Sequence, residues 1–118
     1  MTASRAIVKK KIRQYWPHDA DDVMEALDRY GDPSPAEAGR ARVQLAVLKL
    51  ANGSLERLRE YVDLARRDYR DVLALAEYPR EMKATHLVRP ELSPRQRREL
   101  ARIRKQDREQ YLKWLKNA

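Results

Sequence analysis

The chain has 118 residues, a net charge of +8, 37% charged residues and no cysteine. That length suits one domain around a single core, the missing cysteine excludes disulfides and thiol chemistry, and no apolar run approaches the roughly 20 residues of a membrane-spanning helix. Basic charge gathers at the two ends, around a mildly acidic middle, so the ends either fold back onto the middle or present themselves to an anionic partner. The N-terminus is basic at Lys9 to Lys11 and lacks the apolar segment of a secretory signal, and a cytoplasmic location is expected.

Ser4 caps a first helix that runs to about Trp16, with Val8, Ile12, Tyr15 and Trp16 on its apolar face, Lys9, Lys10, Lys11 and Arg13 around that face, and Pro17 as its stop. So narrow a stripe suits docking onto a bundle, and a membrane partner is not expected. Asp19 is the expected cap of a second helix, Asp21 and Asp22 sit in its first turn where negative charge meets the positive dipole end, Ala20, Val23, Leu27 and Tyr30 face inward, and Gly31 ends it. His18 beside these acids is no metal set: capping accounts for the carboxylates, and no second histidine or cysteine is near.

Ser34-Pro35-Ala36-Glu37 is a capping box with proline at the first helical position, and Asn52-Gly53-Ser54 ends that helix and caps the next. So short a link predicts an antiparallel hairpin of residues 35 to 52 and 55 to 78, about which the chain is organised. In its first arm Gly39, Val43, Ala46, Val47 and Leu50 make one apolar stripe and Ala38, Ala41, Leu45 and Leu48 another on the opposite side, the pattern of a sandwiched helix. In its second arm Leu55, Leu58, Val62, Ala65, Tyr69, Val72 and Ala76 keep three-four spacing like a coiled-coil seam. Arg59, Asp63, Arg67 and Asp71 at successive i, i+4 positions form a solvated flank, each pair adding roughly 0.3 to 0.5 kcal/mol. Leu45, Ala46, Leu50, Leu58, Val62 and Tyr69 are the expected core.

Tyr78-Pro79 stops the second arm. A helical turn and a loop follow to Leu92, with Met82, Leu87 and Val88 as anchors. Ser93-Pro94-Arg95-Gln96 repeats the capping-box chemistry and starts a last helix to about Lys116. Its apolar face is Leu100, Ile103, Tyr111, Trp114 and Leu115, interrupted by Asp107. Opposite it gather Arg95, Arg98, Arg102, Lys105, Lys113 and Lys116, with Glu109 in the row. The whole is expected to be all-α, a bundle of four to five helices in which residues 1–92 form the core and residues 93–118 a basic C-terminal helix of the same domain.

Leu50-Ala51-Asn52-Gly53-Ser54-Leu55-Glu56-Arg57-Leu58-Arg59-Glu60-Tyr61-Val62, with Asp68-Tyr69-Arg70-Asp71-Val72-Leu73 and Ala76-Glu77-Tyr78-Pro79, resembles a family of small uncharacterised bacterial helical proteins. The resemblance covers the middle third of the chain. It implies that Asp68 to Asp71 and Glu77 to Pro79 are shared surface features, and it brings no activity, ligand or cofactor.

A catalytic set is not evident. The four serines, Ser4, Ser34, Ser54 and Ser93, all have capping roles, His18 and His86 lie in different connections, and neither a phosphate-binding glycine loop nor a nucleophile elbow is present. The protein is therefore read as a non-enzyme without metal or cofactor. Six tyrosines, two tryptophans and no phenylalanine are rings with polar tips that suit a core edge or an interface. The function expected first is a helical interaction module that self-associates as a dimer, with Trp114, Leu115, Tyr69 and Tyr61 at the interface. The alternative is sequence-independent nucleic-acid binding through the basic residues of the last helix.

Overall fold

The computed structural model describes residues 4–30, 37–87 and 90–117. Helices α1 (Arg5–Tyr15), α2 (Ala20–Asp28), α3 (Glu37–Ala51), α4 (Leu55–Glu77), α5 (Pro79–Lys83) and α6 (Pro94–Lys116) follow one another, with a 3-10 turn at Thr85–Leu87. No strand occurs among the described residues, and the fold is all-α. The bundle is elongated, 50 × 29 × 26 Å. The Ser34 capping box, the Gly31 stop and the Val88 anchor lie outside the described residues.

Packing centres on the α3–α4 hairpin. Asn52 and Gly53 turn the chain with φ of 48° and 86°, left-handed values that asparagine tolerates and glycine takes freely. At Gly53 the constraint is φ and not space, since the nearest neighbour of an added Cβ is the Tyr15 carbonyl at 4.0 Å. Ser54 restarts the helix by accepting from the Arg57 amide at 3.2 Å. In α3 every residue from Val43 to Leu48 is buried, as a helix covered on both sides must be: α4 lies along one side and α1 crosses the other. Arg40 and Arg42 near its start are exposed, and in the last turn Leu50 is half-buried rather than enclosed. Gln44 is enclosed as well, and its amide accepts from Arg5 at 2.9 Å and donates to the Leu27 carbonyl at 3.3 Å, tying α1 and the end of α2 to α3.

The seam of α4 holds at Leu58, Val62, Ala65, Val72 and Ala76, all buried, and fails at Tyr69, which is 42% exposed. The cause is Asp68, whose extended backbone (φ −156°, ψ 98°) breaks the helix. Its carboxylate accepts from the Arg70 amide at 3.1 Å and from the Arg70 guanidinium at 3.0 Å, so Asp68 acts as a second N-cap inside what periodicity presents as one continuous helix. The break swings Tyr69 outward while Val72 returns to the seam.

Other expectations need correcting. Asp19 stands at the N-cap of α2 but makes no side-chain capping bond. None of the Arg59, Asp63, Arg67 and Asp71 pairs closes to an ion pair among the described residues, where Arg70 instead pairs with Asp68. Leu87 anchors, yet Met82 is 44% exposed. Lys11 does not surround the apolar face of α1; it is fully buried.

Leu58 is fully enclosed at the centre of the hairpin. Its truncation to alanine is expected to cost about 2–5 kcal/mol, because cavity and transfer terms add; a denaturant titration against wild type measures it.

Candidate nucleic-acid interface

The basic helix α6 starts with a complete capping box: the Ser93 hydroxyl accepts from the Gln96 amide at 3.1 Å, and the Gln96 side chain accepts from the Ser93 amide at 3.0 Å. Its far end is closed from another helix. The Lys11 ammonium donates to the carbonyls of Trp114 and Asn117 and, at 3.3 Å, to Gln14 Oε1, and it lies 4.5 Å from the centre of the Trp114 ring. All three ammonium donors are used, and the cation sits where the helix dipole is negative. Trp114 donates from Nε1 to the Tyr15 hydroxyl at 3.0 Å and stacks on that ring with centroids 6.4 Å apart.

Asp107, the charge in the middle of the apolar face, is the fully buried residue of α6. Its two carboxylate oxygens accept from the backbone amides of Arg80 at 3.1 Å and Glu81 at 3.0 Å. These are first-turn donors of α5, whose N-cap Tyr78 supplies no side-chain bond, so α6 caps α5 from outside. Three residues on, Gln110 donates to the Ala76 carbonyl at the end of α4, at 3.2 Å. Arg104 with Glu81 at 2.7 Å and His86 with Glu99 at 3.0 Å add exposed ties.

The inward side being thus fixed, Arg95, Arg98, Arg102, Lys105, Lys113 and Lys116 are all exposed. Successive steps of three or four residues place them on one stripe, broken between Lys105 and Lys113 by exposed Glu109, and at about 1.5 Å per residue it is about 30 Å long. None of the six takes part in an ion pair or side-chain hydrogen bond among the described residues, unlike Arg104 on the adjoining side. Trp114 and Leu115 are half-buried against their own bundle, as is Tyr61, while Tyr69 stands exposed away from them.

Several titratable groups at or near the bundle side of α6 are perturbed. Burial, then the neighbouring Lys10, lowers the Lys11 pKa below the usual lysine value, and burial lowers that of Lys49, opposed by Asp107. Arg42 is held firmly protonated by the two hydrogen bonds it donates to the Glu77 carboxylate, at 2.9 and 2.6 Å. Burial first, then the charge of Glu77, pushes the Tyr111 phenol well up. Among the described residues no cluster of three histidines or acids is placed to hold a metal.

Sequence reasoning found the stripe and missed what holds it. The one available signal was Asp107, since a carboxylate at a core position demands donors. No protein-family model, curated protein or solved structure matches this chain.

Asp107→Ala removes the acceptor of two backbone amides and is expected to destabilise the fold by about 1–3 kcal/mol, with faster amide exchange at Arg80 and Glu81, read by denaturant titration and hydrogen exchange. Tyr111 gives a pH prediction. Its phenol is raised in the fold, so the stability it contributes is intact below the ordinary phenol value of 10.0 and is lost as pH rises past it, where the unfolded chain ionises first. Lys11 and Lys49, lowered in the fold, act oppositely as pH approaches 10.5, but they are common to wild type and to Tyr111→Phe. The stability difference between these two proteins should therefore shrink above pH 10 in parallel alkaline melts.

Proposed function

We propose that this protein is a non-enzymatic helical module that binds nucleic acid without sequence preference through the outer face of α6. The observation that carries it is the row of six exposed cations with no acidic partner among the described residues, on a helix anchored along its other side. A phosphate backbone asks for no more than such a row: each contact releases condensed counterions, so affinity is sequence-independent and falls steeply with salt. Six contacts to duplex correspond to a slope of log affinity on log salt of about −5. No base-reading element accompanies the stripe among the described residues, which favours backbone contact over sequence readout. Self-association is the lesser proposal, because Trp114 and Leu115 already pack on their own bundle and the large apolar side chains left exposed among the described residues are Tyr69, Tyr78 and Met82. A dimer would double the basic surface without changing this chemistry.

The test is a fluorescence titration with labelled duplex DNA and with RNA across a salt series, comparing wild type with a variant carrying Arg98→Gln, Arg102→Gln and Lys105→Gln. The expected outcome is binding to both polymers irrespective of sequence, weakened in the variant, with the salt slope reduced by about three. Equal binding by both proteins, or none at low salt, removes the proposal. Sedimentation equilibrium on the same samples reads the oligomeric state.

A further inference from the structure

The side of α6 that adjoins its docked face is mixed, with half-buried Tyr111, Leu112 and Leu115 beside exposed Arg104 and Arg108. Together with the end of α4 and with α5 it borders an open cleft of about 620 Å³, lined by Glu77, Tyr78, Glu81, Arg104, Arg108, Tyr111, Leu112 and Leu115. That is the size of a small-molecule site, and the lining has the composition of one, apolar surface with a few polar groups. Tyr111, Leu112 and Leu115 are half-buried, and Arg104, Arg108 and Tyr78 are exposed, so the apolar groups lie within and the guanidinium groups at the opening.

The charge balance selects the ligand. Glu77, itself largely buried, is taken up by Arg42 through two hydrogen bonds, and Glu81 is taken up by Arg104 at 2.7 Å. Neither carboxylate is free to bind a cation, and neither leaves its arginine available. Arg108 has no ion pair or side-chain hydrogen bond among the described residues, and the Tyr111 hydroxyl likewise has no hydrogen-bond partner. The cleft thus holds one uncompensated positive charge and one unused O–H donor, three residues and about one turn apart in α6, beside the two leucines.

We propose that this cleft binds a small monoanionic amphiphile, a carboxylate with an aliphatic chain, whose headgroup accepts from Arg108 and the Tyr111 hydroxyl and whose chain lies against Leu112, Leu115 and the Tyr78 ring. The neutral Tyr111 phenol is a donor throughout the ordinary pH range, and a charge-assisted bond to the guanidinium at the opening selects carboxylate over alcohol. None of the six stripe cations lines the cleft, so the site is independent of nucleic-acid binding.

The test uses the full chain and octanoate as the probe, below its micelle-forming concentration, by titration calorimetry and by the fluorescence of Trp114, whose ring centroid is 5.9 Å from that of Tyr111. Expected are one-site saturable binding, octanol binding more weakly than octanoate, and a loss of affinity of about tenfold or more in Arg108→Gln and in Tyr111→Phe. The variant with the three stripe glutamines should bind octanoate as wild type does, whatever its affinity for nucleic acid. Circular dichroism checks that each variant keeps its helices; should Tyr111→Phe lose them, Arg108→Gln, altered at an exposed side chain, decides by itself. Absence of saturable binding, octanol binding as well as octanoate, or unchanged affinity in Arg108→Gln overturns the proposal.

Discussion

A buried ammonium closes this fold. Lys11 has no exposure to solvent, and burying an unpaired lysine is so costly that it ordinarily gives up its proton or stays outside. Here it meets two terminal carbonyls of α6, a glutamine oxygen and an indole ring, so the charge compensates groups that are themselves orphans of a helix end. The contact joins residues more than 100 positions apart, and it fixes where α6 ends relative to α1.

That contact matters because α6 has little else with which to hold on. Of its residues only Asp107 is fully buried, and the leucines and aromatic rings beside it are half-covered. Hydrophobic burial scales with the apolar area removed from water, so a helix that buries little must be located by polar contacts at defined points. Asp107 to the amides of α5, Gln110 to the end of α4 and Trp114 to Tyr15 supply those points. Each uses a donor or acceptor that would otherwise be left unsatisfied, which is why the set specifies one position along the bundle as well as contributing to its stability.

What the sequence made legible was local. Ser4, Ser54 and Ser93 cap as their spacing implies, the Asn52-Gly53 reversal needs only left-handed backbone, and the two-sided apolar pattern of α3 translates directly into burial on both sides. Tyr69 was misplaced because three-four periodicity assumes an unbroken helix, and the Asp68 cap that breaks it looks in sequence like one more surface charge. Lys11 and Asp107 were read as an exposed lysine and an interruption, since nothing short-range distinguishes a charge that interrupts a docking face from one that docks it. The candidate stripe was legible on a helical wheel. Its freedom from acidic partners was not, because that depends on which side the rest of the chain covers.

The three sides of α6 therefore carry three different chemistries: polar locks toward the bundle, a partly apolar cleft toward α4 and α5, and unpaired cations outward. The last is costly to the isolated chain. Like charges three and four residues apart each destabilise a helix by about 0.2–0.5 kcal/mol at low salt, and nearby acids off the stripe, Glu81 on α5 and Glu99 on α6, pair with Arg104 and His86 instead. A local arrangement that works against the fold, on the helix whose opposite side is most carefully fixed, is where function is to be sought. On the proposed reading, attraction to a polyanion laid along the stripe would offset those repulsions, and the locks on the far side hold the helix that carries the six charges in place.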